Sequence, residues 1–204
     1  MSQPGTPFPS SSRVPPAQPP PPVQPRRQDR KTSGIRNAVE WVVIIAGALL
    51  VAFVVKTFLI QAFYIPSGSM LPTLQEKDRV LVNKLSYDLH DVHRGDIVVF
   101  KGPEQAQGQV KDLIKRVIGL PGDTVESQDG KLVVNGQALN EPYLGPGITT
   151  GPLEAQKIPP HHYWVMGDNR GNSKDSRFFG PIDKSLIIGR AFIRVWPVRR
   201  FHFF

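Results

Sequence analysis

Residues 113–136 read LIKRVIGLPGDTVESQDGKLVVNG. An apolar run to Leu120 is stopped by Pro121-Gly122-Asp123, three residues with a mechanism for turning the chain. Asp129-Gly130 and Asn135-Gly136 then bracket the short run Lys131-Leu132-Val133-Val134. These dipeptides suit two-residue hairpin turns, because Asp, Asn and Gly tolerate positive φ. Similar short runs lie on either side: Arg79-Val80-Leu81-Val82, Asp96-Ile97-Val98-Val99-Phe100 and Ser185 to Trp196. Arg94-Gly95-Asp96 and Gly145-Pro146-Gly147 add further breaks. No long helical periodicity follows residue 65. The pattern predicts a mainly β, antiparallel sheet domain over residues 61–204.

Upstream the chemistry changes. Residues 39–60, VEWVVIIAGALLVAFVVKTFLI, carry no charge from Trp41 to Val55. A bilayer core needs about 20 apolar residues, so the stretch is long enough to span it. Lys56 can snorkel at one end, and Trp41 suits the headgroup zone at the other. A cleaved signal peptide has a shorter apolar region of roughly 7–15 residues, so a permanent anchor over 37–60 is expected. Arg26, Arg27, Arg30, Lys31 and Arg36 precede it and predict a cytoplasmic N-terminus, with a single-pass anchor in the plasma or inner membrane and residues 61–204 outside. Residues 1–36 form a basic tail, rich in Pro, Gln and Ser over 1–30, with too little apolar surface to order itself.

The 204 residues include no cysteine, which excludes disulfides, thiolate metal sites and cysteine nucleophiles. The net charge of +8 could attract nucleic acid or anionic lipid. Much of it clusters beside the apolar run, and no helix-turn-helix, zinc-finger or basic-zipper pattern is present, so nucleic acid is not an expected partner. The five histidines lack a ligand spacing, so neither a metal nor another cofactor is expected.

Three segments could carry chemistry. In Ile65-Pro66-Ser67-Gly68-Ser69-Met70-Leu71-Pro72-Thr73-Leu74, two prolines stiffen a Ser-Gly-Ser turn. Such a turn can present a hydroxyl beside a backbone N–H aimed at an oxyanion, or be only a polar turn. In the run from Leu113, alternation puts Lys115 on one face and Arg116 on the other, each between apolar neighbours. An edge strand with snorkelling stems would explain that. So would a buried lysine, whose lowered pKa would let it take a proton from a serine, which arginine cannot do. The third segment, 166–180, is MGDNRGNSKDSRFFG, dense in turn formers and charges. Alone it is compatible with a solvated loop.

Together these segments resemble the bacterial type I signal peptidases. An anchor is followed by PSGSMLPTL, RGDIVVF at 94–100, KRVIGLPGD at 115–123 and GDNRGNSKDSRFFG at 167–180, in the family's order. The resemblance runs from about residue 40 to the C-terminus. It implies a membrane-bound serine endopeptidase that removes signal peptides from exported preproteins, with Ser69 as nucleophile and Lys115 as general base. Ser67 would join the Ser69 backbone N–H in an oxyanion hole, and Ser173 would orient Lys115. Asp168 would pair with Arg116 and Asp175 with Arg177. Phe63, Ile65, Pro66, Met70, Leu74 and Ile114 would wall shallow pockets for the small −1 and −3 residues. The substrate would lie extended beside 64–67 and 112–115. Signal peptides, membrane lipid and the nearby secretion machinery are the implied partners. One span rather than two, Gly171 in place of an acidic residue, and the lack of a large insertion are departures, and none touches Ser69 or Lys115.

The final segment, Trp196-Pro197-Val198-Arg199-Arg200-Phe201-His202-Phe203-Phe204, suits either a lipid surface or a last strand. A narrow-substrate Ser–Lys peptidase and an inactive tethered binding protein are the rival readings. A lysine base further predicts an alkaline activity optimum.

Overall fold

The computed structural model describes residues 30–55, 59–106 and 111–204. The expected Pro-rich tail over 1–29 and the expected snorkelling Lys56 lie outside the described residues. Helix α1 covers Arg30–Val54. It therefore begins inside the segment expected to be tail, and Ile60, expected in the anchor, already belongs to a strand. The window Arg36–Val54 is long and apolar enough to cross a membrane. Its side chains are bare: Trp41, Leu49 and Phe53 each expose 64–65% of their surface. Among the described residues, Arg36 and Glu40 form an i,i+4 pair on it, at 3.5 Å.

The remainder is antiparallel β-structure arranged as a half-barrel. The strands are β1 (Ile60–Tyr64), β2 (Arg79–Asn83), β3 (Ile97–Lys101), β4 (Asp112–Gly119), β5 (Thr124–Gln128), β6 (Lys131–Val134), β7 (Gln137–Ala138), β8 (Gln156–Lys157), β9 (His162–Met166), β10 (Ile182–Asp183), β11 (Ile187–Trp196) and β12 (His202–Phe203). The larger sheet runs β1-β2-β11-β3-β4-β9-β10, with β12 added on β11. The smaller sheet runs β7-β6-β5-β8. Both expected hairpins form. Asp129 and Gly130 have φ of 49° and 76°, and Asn135 and Gly136 have 53° and 78°. Gln128 therefore faces Lys131 and Val134 faces Gln137 across two-residue turns, whose twist matches that of the strands. The last strand forms too, with Ile193 opposite Phe203 and Arg194 opposite His202.

Strand β4 is not at an edge. It pairs with β3 along Asp112–Arg116, then with β9 from Arg116 onward. Alternation distributes its side chains between separate cores. Val117, flanked by the half-buried Leu113, packs with Val98, Phe100 and Val165. Ile114 packs with Ile65, Met70, Leu74 and Ile97. Ile118 joins Trp164 and Met166 under the smaller sheet. Apolar cover on both faces leaves Lys115 and Arg116 only 3% and 8% exposed, so snorkelling does not explain them.

Candidate active site

Ser69 sits in a single 3-10 turn, Gly68–Met70, just after β1. The loop carrying it is closed at its base, where the Ile65 N–H donates to Asp78 O (3.0 Å) and the Lys77 N–H to Ile65 O (2.9 Å). Met70 and Leu74 have no exposed surface and fix the loop to the core below. The loop of residues 167–175 holds it from the other side. The Asn169 N–H donates to Ser69 O, and its Nδ2 to Gly68 O, both at 3.0 Å. Residue 167 must be glycine here, because a Cβ would stand 2.2 Å from Ser173 Oγ and 2.4 Å from Ser69 O.

Lys115 enters from β4. Its Nζ lies 2.7 Å from Ser69 Oγ and 3.0 Å from Ile114 O. No carboxylate forms an ion pair with it among the described residues. Burial therefore dominates and pulls its pKa from 10.5 down to about 8, against the smaller opposing pull of Asp175 and Asp168.

Arg116, the next residue, is treated differently. Its Nε and Nη2 meet the two Asp168 oxygens at 2.9 and 2.7 Å, and its Nη1 donates to Gly95 O at 2.9 Å. Tyr143 lies 3.9 Å beneath the guanidinium carbon. The Thr73 hydroxyl donates to Asp168 at 2.5 Å. Glu141 accepts from the Tyr143 hydroxyl at 2.6 Å and pairs with Arg170, which also reaches Thr150 Oγ1 at 2.6 Å and Gly167 O at 3.1 Å. Burial, then Glu141, push the Tyr143 pKa up. Asp175 accepts from Arg177 Nε and Nη2, each at 2.8 Å, and from the Gly167 N–H at 3.0 Å. The Asp175 side chain also caps α2 (Ser176–Phe179).

Ser67 precedes the turn in extended conformation and is exposed. Ser173 is 9% exposed, and its hydroxyl has no hydrogen-bond partner. The bond implied from Ser173 to Lys115 is thus not formed; the ammonium donates to Ser69 and Ile114. Of the six residues implied as pocket walls, Ile65, Met70, Leu74 and Ile114 share one core, with Phe63 packed against it. Pro66 is exposed, whereas Met70 and Leu74 are sealed and support the site from underneath. Beside Ser69, residues 112–115 of β4 have, among the described residues, a ladder partner on the β3 side only, because β9 begins pairing at Arg116.

Asn169, Thr73, Glu141 and Tyr143 were not assigned from the sequence, whereas Arg170, expected to form an ion pair that fixes its loop, does so with Glu141. Thr73 and Asn169 fall inside quoted motifs, so their place, though not their partners, was marked. Nothing local points to Glu141 or Tyr143.

Residues 38–196 match the family model for signal peptidase, peptidase S26. Signal peptidase I of Leptolyngbya laminosa is 43% identical over 186 residues, covering 88% of this chain and 89% of the relative. Signal peptidase IB of Staphylococcus aureus (strain MRSA252) is 36% identical over 82% of this chain and 94% of the relative. A solved signal peptidase I from Enterococcus faecalis shares 32% identity, with a TM-score of 0.43, over 50% of this chain and 97% of that one. The chain belongs to the signal peptidase family, peptidase S26, and is a serine hydrolase of the signal peptidase I kind.

Proposed function

We propose that Ser69 and Lys115 form the reacting pair that cleaves signal peptides from preproteins after small residues at −1 and −3. The observation that carries this reading is the 2.7 Å approach of a buried, carboxylate-free amine to a serine hydroxyl. With a pKa of about 8, roughly a tenth of the lysines are neutral at pH 7. In the neutral form the contact reverses, and Ser69 Oγ donates to Nζ. Oγ attacks the scissile carbonyl as its proton passes to Lys115. The oxyanion is met by the Ser69 N–H and the Ser67 hydroxyl. Collapse breaks the C–N bond, and Lys115 returns the proton to the departing amine of the mature chain. A water then gives its proton to Lys115 and attacks the acyl-serine; the ester C–O bond breaks, Lys115 returns the proton to Ser69 Oγ, and the signal peptide leaves with a free carboxyl end.

The one-sided stretch 112–115 of β4 supports an extended substrate, adding a strand across from the end of β1. In this reading Phe63, Pro66 and Ile114 wall the shallow pockets that take the small side chains. The basic residues before the apolar run support a cytoplasmic N-terminus with the β domain outside.

Cleavage of a purified preprotein by wild type, Ser69→Ala and Lys115→Ala tests the pair. Both variants should lose at least about 10²–10⁴-fold in rate, the span usual for removing a general base. Cleavage by folded Lys115→Ala at the wild-type rate would assign the base to another group.

A further inference from the structure

Beyond the Thr73 end of the Ser69 loop lies a cavity of about 470 Å³ that the proposed reaction does not use. Arg116, Arg190, Arg194, Arg200 and His202 line it, with Asp96 as the carboxylate on its wall. Three carboxylates serve the four guanidiniums: Asp168 pairs with Arg116, Asp96 with Arg190, and Asp78 with both Arg194 and Arg200. Among the described side chains, the guanidiniums outnumber the carboxylates by one before His202 is counted. Crowding is visible in Arg194, whose pKa is held down first by burial and then by Arg200. Arg190 Nε stands 3.0 Å from Asp96 but makes no aligned hydrogen bond. The hollow therefore has cationic donors to spare.

Phe203 forms its apolar rim, and Trp196, Val198 and Phe201 lie in the same C-terminal segment; the four expose 63%, 52%, 68% and 53% of their surface. Alternation along β12 sorts the side chains. Phe201 packs edge-on to Phe203 at 5.4 Å, and His202 pairs with Phe204 at 5.3 Å. A cationic hollow beside exposed aromatics fits an amphiphile with an anionic head. A peptide acid or a free anion would have no use for the rim. The chain also carries a helix long and apolar enough to span a bilayer, so lipid is at hand.

We propose that this hollow binds the phosphate of an anionic phospholipid headgroup, with the aromatic rim against the lipid's apolar part. Occupancy would reach the Ser69 loop through Thr73, whose carbonyl accepts from Arg194 Nη1 at 2.6 Å while its hydroxyl holds Asp168. The lipid would thus bear on the loop without touching the reacting atoms.

Native mass spectrometry of the intact chain in non-ionic detergent tests this, with phosphatidylglycerol, phosphatidylcholine or inorganic phosphate added. The basic residues before the apolar run attract anionic lipid as well, so the readout is the difference between wild type and Arg190→Gln. Arg190 is 35% exposed, and Asp96 keeps its bonds from the Tyr87 hydroxyl and the His93 N–H when Arg190 is changed. Wild type should retain one tightly held phosphatidylglycerol in preference to phosphatidylcholine. Arg190→Gln should weaken it about tenfold, the worth of one charge-assisted hydrogen bond, and Arg190→Lys should restore most of it. Phe201→Ser with Phe203→Ser should weaken lipid binding and spare inorganic phosphate. Equal retention of both lipids, or no effect of Arg190→Gln, would overturn the proposal. So would phosphate, or an acidic peptide, binding the hollow while phosphatidylglycerol does not.

Discussion

On one side of β4, Lys115 reaches a serine hydroxyl and a backbone carbonyl, and nothing neutralises it. On the other side, Arg116 meets both oxygens of Asp168, a backbone carbonyl and the face of Tyr143. The two residues are adjacent and about equally buried. Their partners give them opposite natures: the arginine stays charged and locks strands together, whereas the lysine is left where losing its proton costs little. The Arg116 network also ties Thr73 and the 167–170 loop to β4, so it holds the frame within which the Lys115–Ser69 distance is set. Fixed charge builds the site, and a labile charge works in it.

The contrast can be broken most severely at Asp168. Asp168→Asn would leave Arg116 buried without its carboxylate, and loss of one partner of a buried pair costs about 3–5 kcal/mol. Chemical denaturation should register that loss, and an unchanged midpoint would mean that the Arg116 network is not structural. Lys115→Met should act in the other direction. The folded lysine has its pKa lowered from 10.5 to about 8, so between those values the unfolded chain holds a proton that the folded one lacks. Stability of the wild type therefore rises with pH across that window, and below it the full penalty, about 3 kcal/mol, is present. The methionine variant should be more stable than wild type by about that amount at pH 7, with the advantage fading between pH 8 and 10.5. A variant less stable at pH 7 would show that the charge is compensated after all. The smallest effect belongs to Asn169→Ala, which removes the 3.0 Å bond to Gly68 O and should cost about 1 kcal/mol. Because that bond steadies the Ser69 turn, kcat should fall by up to about tenfold with KM little changed.

How much of this could be read in the chain depends on the range of the interaction. Asp129-Gly130 and Asn135-Gly136 specify their hairpins locally, through the φ values those residues accept. Alternation in β4 correctly separates Lys115 from Arg116. Whether β4 is an edge or an interior strand was not legible, because that depends on β9, some fifty residues away. The same holds for Asn169 and Thr73, whose partners Gly68 and Asp168 lie 101 and 95 positions distant. Tyr143 and Glu141 carry no motif at all, and only folding brings them under Arg116. Helix α1 began earlier than the apolar run, since a helix once nucleated continues through polar residues with adequate propensity.

The most direct test of the account is kcat/KM for preprotein cleavage as a function of pH. If Lys115 is the base, the profile should rise tenfold per unit at low pH, bend near pH 8 and stay level above it. A bend near 6.5, where histidine titrates, or no pH dependence between 6 and 9, would contradict it.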